Sequence, residues 1–139
     1  MSVRNVTVRD VQSDERTAII LYAHGARDPR WAEPFERLRE RVAAQAPECL
    51  VVLAYLEHRE PDLSTAFRDV HRHGARHVRL VPLFFGRGGH LRDDLPKQLE
   101  EARRAVPGLT IEVTEAAGEN ERVLDALATF SLEAPATPG

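Results

Sequence analysis

The chain has 139 residues, enough for one domain with a real core and too few for two ordinary ones. Hydrophobic residues make up 42%, which argues against global disorder. The net charge of −3 gives no support for a nucleic-acid partner, and no apolar stretch approaches the ~20 residues that cross a bilayer.

Cysteine usage points the same way. The single Cys49 excludes an internal disulfide framework and fits a reducing, cytoplasmic compartment. It reads as a small core residue. Lys97 is the only lysine, so the basic residues are nearly all arginine, which suits carboxylate recognition.

Residues 1–16 are polar and charged, too polar for a secretory signal. They read as a flexible extension, or an edge strand through Val6 and Val8. The apolar run 17–23 is the first core strand, and it delivers His24-Gly25-Ala26-Arg27 as a loop. Asp28-Pro29 then opens a helix, because Asp caps free N–H groups and Pro suits the first helical position. Trp31, Phe35, Leu38 and Val42 follow at helical spacing, and the helix ends before Pro47.

The second strand, 50–56, delivers Glu57. A second helix follows on Leu63, Ala66, Phe67 and Val70, with Gly74 as its C-terminal cap. His71, His73 and His77 gather near that end. They suit its dipole better than a metal, since this end lies away from the other candidate ligands.

The run 78–85 reads as a third strand, with Pro82 marking a bulge or an edge. Gly86-Arg87-Gly88-Gly89-His90 stops it in a tight turn. Asp93-Asp94 then caps a third helix with Leu95, Leu99, Ala102 and Val106 on its buried side. A fourth strand covers 109–113. Asn120 caps a last helix whose Val123, Leu124, Leu127 and Phe130 face inward, and 133–139 is a disordered tail. Strand and helix alternate, so residues 17–132 make a single α/β domain: a three-layer fold with a mainly parallel four-stranded sheet flanked by helices.

Three strand ends therefore offer His24, Glu57 and His90, each 33 residues from the next. That gap fits one strand-plus-helix unit of ~30 residues or more. Ligands of an open parallel sheet bind beyond the carboxyl ends of its strands. Two imidazoles and a carboxylate there suggest a divalent metal site with positions left open for substrate. Arg27, Arg30, Arg87 and Arg92 flank the two histidines and together can hold a polycarboxylate. Gly86, Gly88 and Gly89 can instead cradle a phosphate, although the pattern is neither a P-loop nor a dinucleotide fingerprint.

The ordered motifs resemble a known family. Ala23-His24-Gly25-Ala26-Arg27-Asp28-Pro29, Tyr55-Leu56-Glu57 with Glu60-Pro61, Val81-Pro82-Leu83-Phe84, and Gly89-His90 with Asp94-Leu95-Pro96 are similar to the small CbiX-type sirohydrochlorin chelatases. One departure is Ala26, where the family often has Ser. The resemblance implies a chelatase-like fold. It implies insertion of cobalt, with iron or nickel as alternatives, into sirohydrochlorin on the way to cobalamin or sirohaem. It implies a homodimer with no permanently bound cofactor, the metal being a substrate. It also implies that His24 and His90 bind the metal and that Glu57 is the active-site glutamate. With such a substrate, the loop residues Arg27, Arg30, Arg87, Gly88, Gly89 and Arg92 are the expected contacts of the tetrapyrrole and its carboxylates.

Three rival readings stay open. One is a metal- or tetrapyrrole-binding module without turnover. Another is a histidine phosphatase, whose Arg-His-Gly is disfavoured by Ala23. The last is a metal-dependent hydrolase, for which no helix carries His-Glu-x-x-His.

Overall fold

The structure, a computed structural model, describes residues 16–86, 88–133 and 135, with His90 described in its main chain only. The expectations for residues 1–15, for Arg87 and for most of the 133–139 tail lie outside the described residues.

Four parallel strands, β1 (Arg16–Ala23), β2 (Leu50–Tyr55), β3 (Ala75–Pro82) and β4 (Thr110–Val113), stand in the order β2-β1-β3-β4. β1 lies between two neighbours and is covered on both faces, which explains its unbroken apolar run. Helices α1 (Pro29–Gln45), α2 (Leu63–Arg72), α3 (Gly89–Ala105) and α4 (Glu121–Leu132) complete the chain.

α2 and α3 cover one face of the sheet. Leu63, Phe67 and Val70 of α2 and Leu95, Leu99 and Ala102 of α3 pack on Ile20, Tyr22, Val78 and Leu80. α1 covers the other face through Trp31 and Phe35, against Leu21, Ala23, Leu53 and Tyr55. Asp28 caps α1 through the Arg30 N–H, and Asp62 caps α2 through the Thr65 N–H, both at 2.9 Å. His73 ends α2 with Nδ1 2.8 Å from the Asp69 carbonyl, at the opposite edge of the sheet from His24, as the dipole reading expects.

Four expectations are corrected. α3 begins at Gly89 with Gly88 as its cap, not at Asp93-Asp94. Gly88 has the extended backbone a cap requires but no side chain to announce it. Leu91, partly buried against the core, belongs to the same stripe as Leu95. His90 therefore sits in the first turn of a helix rather than in a loop.

Pro82 marks neither a bulge nor an edge. It is fully buried at the end of β3, an inner strand. β4 has stopped pairing by then, its last partner being Leu80, so the missing N–H breaks no ladder bond. The third strand also runs earlier than expected, from Ala75 to Pro82 rather than to Phe85.

The largest correction concerns α4. It buries none of its residues. Leu127 is 40% exposed and Phe130 70%. Its apolar stripe does not cover the sheet, whose Ile19, Val81 and Leu83 are left only partly buried on the α1 side.

Candidate active site

Parallel strands carry their carboxyl ends to one edge, and there the chain brings His24 and Glu57 together. His24 Nε2 donates to Glu57 Oε2 at 3.0 Å. The main chain sets this up, since Leu56 N–H donates to the Ala23 carbonyl at 2.9 Å and Glu57 N–H to the His24 carbonyl at 3.0 Å. The β1–β2 ladder is thus extended by two residues, as far as both functional side chains. Gly25 makes the approach possible. Its φ is +98°, and a Cβ there would overlap the Glu57 carbonyl oxygen.

Both side chains remain about half exposed, at 57% and 49%, so a ligand can reach them from solvent. His58 follows in the left-handed region, φ 69°, with its Nε2 3.8 Å from Glu57 Oε2. Beside the pair is a cavity of about 560 Å³ lined by Glu57, His58, Arg59 and Asp62.

Under His24 lies a smaller, mainly apolar cavity of about 140 Å³, bordered by Tyr22, Phe84, Gly86, Gly88 and Asp94. Phe84 meets the imidazole edge-on at 6.1 Å and Tyr22 at 5.6 Å, so the His24 ring is held by packing as well as by Glu57. Burial pushes the Tyr22 phenol up, against a hydrogen bond from Gln98 that opposes the shift. Tyr22 therefore stays protonated at neutral pH.

The other candidates divide. Gly88 lines the His24 cavity, and Gly89 is the first residue of α3. Arg27 is exposed on the β1–α1 loop. Arg30 is spent on Asp28, with Nε 3.2 Å from Oδ1 and Nη2 2.9 Å from Oδ2, and these bonds hold the Asp28 carboxyl below its usual range. Arg92 lines a separate groove beside β4 with Arg103 and Val113. His90 enters at the head of α3, one residue after Gly89. Among the described residues, no group of three His, Cys, Asp and Glu is placed to hold a metal ion.

Sequence reasoning named the strand-end candidates His24 and Glu57 but not the residues packed around them. Phe84 and Tyr22 read there as core, because nothing in a strand's alternation says which core residue touches a ligand. Gly25 carried a usable signal: a glycine directly after a strand-end histidine marks a backbone that must come close to something.

A parallel α/β sheet with an imidazole–carboxylate pair at its carboxyl edge defines a ligand-binding α/β domain of the open-sheet class. More narrowly, the chain belongs to the CbiX family, whose profile matches residues 18–134. Among its relatives, a sirohydrochlorin cobaltochelatase of Sulfurisphaera tokodaii is 29% identical, over 78% of this chain and 86% of that one. The sirohydrochlorin ferrochelatase of Bacillus subtilis is 25% identical over 81% of this chain but only 43% of its own length.

Solved structures agree. The CbiX protein of Marinobacter aquaeolei VT8 superposes with a TM-score of 0.72 at 36% identity, covering 83% of this chain and 93% of that one. The sirohydrochlorin chelatase SirB of Bacillus subtilis subspecies spizizenii, in complex with cobalt, gives 0.71 at 25% identity, covering 82% and 49%. The chain thus spans about half of these Bacillus relatives. The family and fold expected from the motifs both hold.

Proposed function

We propose that this chain is a sirohydrochlorin metal chelatase, a lyase that inserts a divalent metal into the macrocycle, with cobalt the first choice and iron or nickel the alternatives. The observation that carries the reading is the His24–Glu57 pair at 3.0 Å, half exposed at the carboxyl edge of the sheet, with His90 at the head of the neighbouring α3. The family, and relatives named for cobalt and for iron insertion, support it.

In this reading His24, Glu57 and His90 hold M²⁺ as substrate, and its remaining positions receive pyrrole nitrogens. Each metal that enters displaces two pyrrole N–H protons. Glu57 or His24 accepts them, being in reach of solvent to pass them on. Arg27, Arg87, Gly88 and Gly89 serve the tetrapyrrole, with Arg30 and Arg92 as outer contacts.

A second copy completes the site. One small domain makes a single wall for a large flat ligand, and relatives of twice the length match this chain over half of theirs. The exposed stripe of α4 and the half-covered sheet residues Ile19, Val81 and Leu83 supply apolar surface for such a homodimer. No helix among the described residues is long and apolar enough to cross a membrane, and the single cysteine fits a cytoplasmic setting.

Anaerobic absorbance of sirohydrochlorin with Co²⁺, Fe²⁺ and Ni²⁺ in turn tests the reading. A catalytic spectral shift that His24→Ala loses is expected, and its rate ranks the metals. A stoichiometric shift without turnover overturns it in favour of a binding module.

A further inference from the structure

We propose that Arg59 is a carboxylate anchor of this site, gripping one acid group on the rim of the tetrapyrrole beside Glu57. The inference rests on the chelatase reading for its ligand and on the β2–α2 loop for its geometry.

Arg59 stands two residues past Glu57. Its guanidinium lies over the Tyr55 ring, with Cζ 5.4 Å from the centroid. The platform is rigid. Tyr55 is 3% exposed, packs on Trp31 at 6.1 Å, and donates its N–H to the Pro61 carbonyl at 2.9 Å. Stacking uses the flat face of a guanidinium and leaves its edge, where the donors are, free for a carboxylate fork.

The fold leaves one of those donors unmet. Arg59 Nε is buried without a hydrogen-bond partner, and so is the Tyr55 hydroxyl beneath it. A buried polar group without a partner is costly, and stacking on a ring does not replace the missing bond. Of the acids close in sequence, Glu57 is engaged with His24 at 3.0 Å and Asp62 with the Thr65 N–H at 2.9 Å, while the adjacent Glu60 is exposed and, among the described residues, forms no ion pair with Arg59. Arg30 shows the contrast, its fork already filled by Asp28. Among the described residues no ion pair neutralises Arg59.

Its position also fits. Arg59 borders the 560 Å³ cavity that holds Glu57 and His58, and a second one of about 410 Å³ between α1 and α2, with Glu36, Arg39 and Asp69. Each cavity carries three acids, Glu57, Glu60 and Asp62 in the first and Glu36, Glu60 and Asp69 in the second. The first is the one that adjoins the His24–Glu57 pair, where Glu57 is bonded to His24 and Asp62 to the Thr65 N–H, so an incoming carboxylate is accepted from that side. An acid group held there lies at the rim of a macrocycle whose centre faces the His24–Glu57 pair.

The test uses metal-free sirohydrochlorin, so that binding is read apart from insertion. Titration followed by absorbance should give a Kd roughly tenfold weaker for Arg59→Gln, the size of one charge-assisted hydrogen bond. Arg59→Lys should recover part of the loss, as a point charge without the fork. In turnover, KM for the tetrapyrrole should rise by the same factor, with kcat and KM for the metal within twofold of wild type and an unchanged thermal midpoint. Equal binding by wild type and Arg59→Gln overturns the anchor. So does a lowered midpoint with no change in Kd, which would mark a purely structural stack. Wild type that binds the tetrapyrrole without turnover overturns the chelatase reading alone. Wild type that does not bind it overturns both.

Discussion

His24 and Glu57 are 33 residues apart in sequence and 3.0 Å apart at their side chains, and a main-chain bond from Glu57 N–H to the His24 carbonyl fixes that relation. Removing the carboxylate while keeping its shape isolates the chemistry from the packing. Glu57→Gln should fold as wild type, since its main-chain bonds are intact and the side chain is half exposed. Insertion should fall by about 10²-fold or more, the usual contribution of a positioned base. Steady-state rates with Co²⁺ check it, and full activity would remove Glu57 from the mechanism.

Gly25 makes the same relation from the other side. Gly25→Ala puts a Cβ into the Glu57 carbonyl and an L side chain at φ +98°. The variant should lose more than about 1 kcal/mol of stability, because alanine is a poor occupant of a positive-φ position. The strands must part where both ligands emerge, so activity should vanish even under conditions where the chain is still folded. Chemical denaturation with parallel assays separates the two effects, and a stable, active variant would mean that the loop yields easily.

The sheet and the meeting of His24 with Glu57 at its carboxyl edge were legible because parallel strands carry long apolar runs and end abruptly in polar residues. β1 and β2 needed nothing more. The start of α3 was not legible, since Gly88 caps it by backbone shape alone, and the eye goes instead to Asp93-Asp94. α4 failed for another reason. Periodicity at Val123, Leu127 and Phe130 shows that a face wants cover, but it does not say what provides it. The role argued for Arg59 was illegible too, since it depends on Tyr55 lying under it and on Glu57 and Asp62 being engaged elsewhere.

Asp62 links stability to pH. Its carboxyl is held below the usual carboxylate range, chiefly by the main-chain N–H of Thr65. A depressed carboxyl contributes stability that is present above its unfolded pKa of ~3.9 and lost as pH falls through the lower folded value. Asp62→Ala should therefore cost about 1 kcal/mol at neutral pH, the typical value of a helix cap. The gap from wild type should close once both chains are acidified below the folded pKa. Thermal melts across that range check it, and a gap that persists in strong acid would deny the carboxylate its capping role.

The exposed stripe of α4 sets the last expectation. Leu127→Glu and Phe130→Glu alter side chains already 40% and 70% exposed in the single chain, so a monomer would tolerate each within about 0.5 kcal/mol. If α4 seats on a second copy, each places a charge at the centre of an apolar contact, where charged residues are depleted. Light scattering should then find wild type at twice the 15.6 kDa chain mass and both variants at the single mass. Insertion should fall with the dimer, because the tetrapyrrole loses its second wall while His24 and Glu57 stay in place. A wild type that runs as a monomer and still turns over would show that one wall suffices.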